Sequence, residues 1–284
     1  MESDSKHLNN LFSIITLGQT KLLKANISNA KKEIEWFLKD KFSITLHDVI
    51  INKELQLTYN QIKIFNKFIE RRIHGEPFQY ILKEATFYGY DFIVNKHTLI
   101  PRPETETIIS VAKKYAPFND ALDIGTGSGN LAITLLLENV VHHIDAIDKS
   151  KEALKIAIQN KKKHNTLGVN FFYNDIFNKS SLKKYDLIIS NPPYISKNEY
   201  CKLDKHIKNY EPRTALTDNH DGFNFYKFFS KNLDYSLNSN GKIIIEIGLE
   251  ETQQKIQKLF VENHYKYKWH KDLNGNYRVI ELYK

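Results

Sequence analysis

One cysteine, one methionine and two tryptophans are all that these 284 residues hold of those types. With Cys201 alone no internal disulfide can form, which suits a reducing compartment and excludes a disulfide-stapled scaffold. No run of about 18 apolar residues occurs, so no membrane span is expected. The start, Met1-Glu2-Ser3-Asp4-Ser5-Lys6, is mixed in charge and leads into no signal-type apolar segment, so a cytoplasmic protein is expected. Spacings typical of metal ligands are missing, and Cys201 has no evident histidine partner. A zinc enzyme and a cysteine nucleophile are both disfavoured, and no metal is expected. None of the eleven histidines sits in a motif that needs one; His143 and His164 suit structural or exposed positions. Internal repeats and low-complexity tracts are absent as well.

Positive charge is in excess. Lys and Arg number 41 against 33 acids, giving a net charge of +8 and a pI near 9.1. Such a surface attracts phosphates. The lysines, however, are spread along the chain, and Lys161-Lys162-Lys163 ends a predicted helix, where cations complement the helix dipole. A solvated face is the better account, and a nucleic-acid substrate is not expected.

Periodicity divides the chain. Leu8, Leu11, Phe12 and Ile15, then Ile34, Phe37 and Leu38, then Ile62, Phe65, Phe68, Ile69 and Ile73 recur at helical spacing, which predicts a small helical domain over residues 1–74 with Trp36 in its core. Residues 75–103 carry short apolar runs, Tyr80-Ile81-Leu82, Ala85-Thr86-Phe87-Tyr88 and Phe92-Ile93-Val94, around Gly89, and predict a hairpin linker. Glu104 to Tyr115 reads as a helix with acids in its first turn. Within 104–284, strands are expected at Ala121–Ile124, His143–Ile147, Val169–Tyr173, Asp186–Ser190 and Lys242–Ile247. Helices alternate with them to Leu137, through Lys161, at Phe223–Leu237 and at Glu250–Val261. Tyr265–His270 and Asn276–Leu282 flank Asn274-Gly275 and close the chain as an antiparallel hairpin. The fold class is therefore α/β: a Rossmann-like, mostly parallel sheet with a terminal antiparallel hairpin, the architecture of S-adenosylmethionine-dependent methyltransferases, preceded by a small helical domain.

Two motifs carry the chemistry. Leu122-Asp123-Ile124 runs into Gly125-Thr126-Gly127-Ser128-Gly129, a turn whose glycines let the backbone approach a ligand closely. The spacing Gly-x-Gly-x-Gly with Asp123 before it suits the ammonium of S-adenosylmethionine. Asp148, nineteen residues after Gly129, ends the next strand where a carboxylate can accept both ribose hydroxyls, or alternatively cap the following helix, a task open to Ser150 too. At the third strand's end Asp175 can take the adenine amino group, with Ile176 or Phe177 against the ring.

The second motif is Asn191-Pro192-Pro193-Tyr194. A nitrogen conjugated to a carbonyl or aromatic ring is a poor nucleophile, so its NH2 must be held by acceptors with the lone pair aimed at an electrophilic methyl. The Asn191 side-chain oxygen and the Pro192 carbonyl are such acceptors; neither proline brings a competing N–H, and both fix φ. Tyr194 offers a flat face. Asn-Pro-Pro is also an ordinary turn after a strand. With the glycine loop upstream, it predicts methyl transfer to an amide-type nitrogen.

The chain beyond about Arg72 resembles the HemK family, the protein-(glutamine-N5) methyltransferases of peptide chain release factors. The resemblance rests on Gly75-Glu76-Pro77, Phe87-Tyr88-Gly89, Ile100-Pro101-Arg102-Pro103-Glu104-Thr105-Glu106, the glycine loop, Asn191 to Tyr194, Glu211-Pro212-Arg213-Thr214-Ala215-Leu216, Asp221-Gly222 and Asp272-Leu273-x-Gly275-x-x-Arg278-Val279, in that order. The Ile100 to Glu106 stretch is similar to the release-factor branch rather than to its sister branch acting on a ribosomal protein. The resemblance implies a helical N-terminal domain that binds the release factor and a catalytic domain that methylates the glutamine of its Gly-Gly-Gln loop. It implies Phe87 packed on the substrate side chain and Gly125, Thr126, Gly127, Ser128, Gly129, Asp148, Asp175, Ile176 and Asn191 at the cofactor. It also implies that Asn191, Pro192, Pro193 and Tyr194 hold the glutamine amide, with Asn191, Pro192 and Tyr194 catalytic. Lys83 departs from a common glycine and Ile176 from a common aromatic residue. Direct in-line transfer needs no general base beforehand. Two rivals stand beside this reading: an adenine-N6 methyltransferase, which faces the same NH2 problem but must flip its base, and a module that has lost catalysis.

Overall fold

The computed structural model of the chain describes residues 10–52, 55–178, 183–248 and 252–284. Leu8, the start of the predicted first helix, and Glu250, the predicted start of a later one, lie outside them. The chain divides into two compact units, one ending at Lys83 and the other beginning at Glu84.

The first unit is helical, with segments Leu11–Lys24, Ala30–Phe42, Leu46–Ile51, Tyr59–Ile73 and Phe78–Leu82. Their starts are written in side chains: Asn10 accepts from the amides of Phe12 and Ser13, while Thr45 with Asp48 and Thr58 with Gln61 form reciprocal capping boxes. Leu11, Leu22, Ile34, Phe37, Phe65 and Phe68 form the core, where Phe37 and Phe68 stack with centroids 4.1 Å apart. Gly18 lies against Phe65, and a Cβ there would sit 2.9 Å from that ring, so the close approach of two helices requires glycine. The buried Glu33 pairs with Arg72 at 2.6 Å.

Two expectations fail here. Trp36 is not core; it is 52% exposed, because it sits off the Ile34–Phe37–Leu38 stripe. Tyr80-Ile81-Leu82 is helical rather than extended, buried against the phenylalanine core, so the predicted hairpin is shorter at its front. The helix Phe78–Leu82 ends on Lys83 in the left-handed region, φ +65, a conformation that the glycine implied by the resemblance would adopt without strain. Lys83→Gly is expected to raise unfolding stability by roughly 1 kcal/mol. Urea unfolding checks this, and a lower midpoint would contradict it.

The second unit opens with a hairpin, β1 (Glu84–Phe87) and β2 (Tyr90–Ile93), whose Phe87–Tyr90 pair closes on Tyr88 and Gly89, both at positive φ. A seven-stranded sheet follows: β3 (Phe118–Ile124), β4 (Val141–Asp148), β5 (Val169–Tyr173), β6 (Tyr185–Ser190), β7 (Leu237–Glu246), β8 (Lys266–Lys271) and β9 (Tyr277–Tyr283). Their order is β5-β4-β3-β6-β7-β9-β8; the first five are mutually parallel, and β9 joins antiparallel to both β7 and β8. Gly275, φ +85, lies in the turn between β8 and β9 as expected.

Alternation decides which face each strand residue serves. Leu187 and Ile189 enter one core with Ala121 and Ile244; Ile188 enters the other with Leu122, Ile124, Ile243 and Ile245. Both faces are covered, so the parallel strands are continuously apolar. The helices Asn130–Leu137 and Lys151–Lys163 follow β3 and β4, the latter capped by Ser150, which accepts from the Ala153 amide. The predicted helix from Glu104 begins and ends as 3-10 turns around Glu106–Ala112. Between β6 and β7 lie three short helices, Lys197–Lys202, Lys205–Tyr210 and Arg213–Leu216, which no periodicity announces. Among the described residues no helix is long and apolar enough to cross a membrane.

Candidate active site

Strand order reverses between β3 and β6, and the chain leaving their carboxyl ends forms a cleft of about 1000 Å³ that is partly open to solvent. Open α/β sheets bind ligands at such a switch point. Gly125, Thr126, Gly127 and Ser128 form one wall, with Asp148, Asp175 and Ile176 beside them; Asn191, Pro192 and Pro193 face them from the end of β6. Ten of the residues picked from sequence thus meet in one place.

The glycine loop is held from below. The amides of Gly125 and Thr126 donate to the Ile147 carbonyl at 2.9 and 3.0 Å, and the Gly127 amide donates to Asp148 Oδ2 at 2.9 Å. Gly125 and Gly127 take φ +79 and +57, and a Cβ on either would meet no atom within 4 Å, which leaves an open cradle above the loop. Gly129 does not share it. Its Cβ would press on Phe171, Ala157 and Ile133, so this glycine permits helix-to-sheet packing and does not line the cleft, contrary to the expectation of a cofactor contact.

Asp148 is not the cap of the following helix, one of the two roles that the sequence left open. Its Oδ1 accepts from the Ser150 amide at 2.8 Å while Oδ2 holds Gly127, and Ser150 caps the helix. Burial pushes its pKa upward. Asp123 is fully buried and does not line the cleft; burial, opposed by the Thr126 hydroxyl and the Ala132 amide and aided by the Asp148 charge, pushes its pKa up to about 7. Asp175 accepts from the Phe177 amide at 3.1 Å, which fixes the turn after β5; Ile176 is buried, and Phe177 packs on Phe225 and Phe228 rather than into the cleft.

Asn191 donates through Nδ2 to Thr105 Oγ1 at 3.1 Å, and Thr105 donates to Glu246 Oε2 at 2.5 Å. Tyr194 is not a platform in the cleft. Its hydroxyl donates to Glu246 Oε1 at 3.1 Å, and its ring lies so near Gly248 that a Cβ there would stand 2.8 Å away. Burial first, and then the Glu246 charge, pushes the Tyr194 pKa far up, so the phenol stays neutral. The expected stacking face is corrected to a buttress of the corner. Gly222 explains Asp221-Gly222: at φ +82 its Cβ would fall 2.4 Å from the Tyr194 carbonyl.

Phe87 is also corrected. The hairpin register turns it inward against Phe92, 1% exposed, in the core with Ile108 and Leu131; it does not line the cleft and cannot pack on a substrate from there. Several cleft residues were not singled out one by one: Thr98, Pro101, Arg102, Thr105, Pro212, Thr214, Ala215 and Phe225. The signal for six of them was present in the Ile-Pro-Arg-Pro-Glu-Thr-Glu and Glu-Pro-Arg-Thr-Ala-Leu runs, while Thr98 and Phe225 lie outside both. Arg102 pairs with the buried Glu211, whose other oxygen accepts from the Ile100 amide, so the two runs are tied together along one side of the cleft.

Two domain families match this chain: the PrmC N-terminal domain over residues 13–82 and the methyltransferase small domain over residues 104–208. A release factor glutamine methyltransferase of Buchnera aphidicola is 38% identical over 90% of this chain and 92% of its own length. The chain belongs to the release factor glutamine methyltransferase family. A bifunctional methyltransferase of Rickettsia bellii is 36% identical over 93% of this chain, yet the chain spans only 53% of that protein. Among solved structures, a methyltransferase from Pyrococcus furiosus superposes with a TM-score of 0.52 at 19% identity, over 76% of this chain and 96% of that one, which places the fold among methyltransferases. The glycine loop and the Asn191-Pro192-Pro193 corner are the two sides of one cleft, and no cluster of metal-binding side chains occurs among the described residues.

The buried Glu246 has its pKa pushed up to about 7 from 4.5, mainly by desolvation. A carboxyl whose pKa rises on folding stabilises the protein below its unfolded pKa, and that contribution is lost as pH climbs through the folded one. Glu246→Gln, which keeps the shape without the charge, is therefore expected to gain on wild type in melting temperature by roughly 5 °C between pH 5 and pH 8. Parallel melting curves across that range would contradict the assignment of a buried charge.

Proposed function

We propose that this chain transfers a methyl group from S-adenosylmethionine to the side-chain amide nitrogen of the glutamine in the Gly-Gly-Gln motif of peptide chain release factors. The observation that carries the reading is the orientation of Asn191. Its Nδ2 is engaged by Thr105, so its Oδ1 is the atom left to accept from a substrate, in the same cleft as the glycine loop.

The cleft fits the cofactor. Gly125 and Gly127 leave room above a bare backbone; Asp148 and Asp175 suit ribose hydroxyls and the adenine amine, with Ile176 beneath the ring. When bound, S-adenosylmethionine supplies an electrophilic methyl on a sulfonium. Asn191 Oδ1 accepts one N–H of the glutamine amide and the Pro192 carbonyl the other, which leaves the nitrogen lone pair free to face that methyl. Pro101, Pro192, Pro193, Pro212 and Ala215 line the cleft with groups that bring no side-chain donor and help exclude water. The product amide, acidic while still protonated, loses its proton to water. Tyr194 contributes by holding the corner, not by touching the substrate.

The helical unit up to Lys83 is read as the element that recognises the release factor, and the protein as cytoplasmic, where translation terminates. The test uses labelled S-adenosylmethionine with intact release factor, with a variant whose Gly-Gly-Gln glutamine is alanine, and with nucleic acid. Label confined to the glutamine-bearing tryptic peptide supports the proposal. Label in nucleic acid, or equal label in the alanine variant, overturns it.

A further inference from the structure

The sheet brings one carboxylate to the back of the Asn191 corner. Ser190 pairs with Ile245 across β6 and β7, so Glu246, the last residue of β7, stands beside Asn191 as the chain leaves β6. Glu246 is 1% exposed. It receives Thr105 on Oε2 and Tyr194 on Oε1, so both ends of Asn191 to Tyr194 converge on the same group.

Proton counting gives this arrangement a direction. Thr105 has a single hydroxyl proton, and it is spent on Glu246. Toward Asn191, Thr105 is therefore only an acceptor, so the Asn191 NH2 must face it and Oδ1 must face away. If Glu246 gained a proton and donated it to Thr105, the hydroxyl would be free to turn toward Asn191, and the amide would flip to present its NH2 to the cleft. An NH2 there repels the hydrogens of a substrate amide.

We propose that Glu246 and Thr105 are positioning residues: an ionised Glu246, acting through the Thr105 hydroxyl, sets which end of the Asn191 amide faces the substrate. The proposal rests on the reading of Asn191 as the acceptor for the glutamine amide. The groups facing Glu246 are few. Tyr194 and Thr105 donate to it, Arg278 on β9 favours its charge, Glu104 in the turn at Pro103–Thr105 opposes it, and Tyr226 on the helix Asn224–Asn232 donates to its backbone carbonyl. Burial outweighs the favourable partners and holds the carboxyl near a pKa of about 7, where protonation is within ordinary experimental reach.

The test observes Asn191 directly. In protein labelled with ¹⁵N-asparagine, the Asn191 Nδ2 resonance, assigned with Asn191→Asp, is followed from pH 5.5 to 8.5 in wild type, Glu246→Gln, Thr105→Val and Thr105→Ser. The expected result is a wild-type resonance that shifts with a midpoint near neutrality, no midpoint in Glu246→Gln, a resonance moved toward free-amide values in Thr105→Val, and wild-type behaviour in Thr105→Ser. In turnover, Thr105→Val is expected to lower kcat roughly 10- to 100-fold with the KM for S-adenosylmethionine unchanged, and Thr105→Ser to recover most of the rate. A wild-type resonance that ignores pH, or a midpoint that survives in Glu246→Gln, overturns the relay. Because the spectrum needs no methyl transfer, an intact relay in a protein that leaves release factor unmodified would refute the proposed substrate alone.

Discussion

Asn191→Ala is expected to lower kcat for release-factor methylation by about 10²- to 10³-fold while changing S-adenosylmethionine affinity little. The magnitude follows from the work assigned to the residue. An amide nitrogen has a delocalised lone pair, and direct in-line transfer needs no base beforehand, so rate depends on holding both N–H groups while the reacting nitrogen is aimed. Removing one preorganised partner of a reacting group typically costs that much. The cofactor half of the cleft should be spared, because its loop is anchored on Ile147 and Asp148, away from Asn191. Single-turnover rates together with calorimetric binding separate the two effects. Turnover within a factor of three of wild type would remove Asn191 from the chemistry, and a parallel loss of cofactor affinity would make it a structural residue.

Asp148→Ala is expected to weaken S-adenosylmethionine binding by roughly 30- to 100-fold. The substitution does two things at once. It deletes the carboxylate proposed for the ribose hydroxyls, and it frees the Gly127 amide that Oδ2 now holds at 2.9 Å, so the cradle loses its shape as well as a contact. Asp148→Asn distinguishes these, since the amide oxygen can still accept from Gly127 while the charge is gone. An intermediate loss is expected. Helix stability should be nearly unaffected in either variant because Ser150 caps the helix Lys151–Lys163. Isothermal calorimetry is the measurement, and an affinity unchanged in Asp148→Ala would overturn the ribose assignment.

What sequence could reveal, and what it could not, divides along physical lines. The parallel strands were legible because both of their faces are buried: Leu187, Ile188 and Ile189 serve two cores in turn, which requires an unbroken apolar run. The glycine loop and the Asn191 corner were legible because special backbone conformations narrow the choice of residue. Trp36 misled because an aromatic beside a helical stripe looks like part of it, although rotation about the helix axis leaves it half outside. Phe87, Tyr194 and Gly129 misled for another reason. Tyr194 and Gly129 belong to motifs whose neighbours face the cleft, Phe87 to one whose neighbours do not line it, and motif membership carries no information about which way one residue faces. Hairpin register buries Phe87, and Glu246 draws Tyr194 away. Thr105 and Glu246 lie 86 and 55 positions from Asn191; the pairing of β6 with β7 brings in Glu246, and Thr105 arrives from the turn Pro103–Thr105 ahead of the sheet.

The reversal of strand order beside β3 has an implication for altering what this scaffold modifies. The residues proposed to face the nucleoside follow β3, β4 and β5, while the corner proposed to face the acceptor and its buttress arise from β6 and β7. The proposed acceptor side also draws on Thr105 and on the helical unit ending at Lys83, both ahead of β3, so the stretch from Phe118 to Ile176 is the part devoted to the methyl source. Recombining that stretch with the flanking segments of a relative acting on a different amine should redirect specificity while the methyl source stays the same.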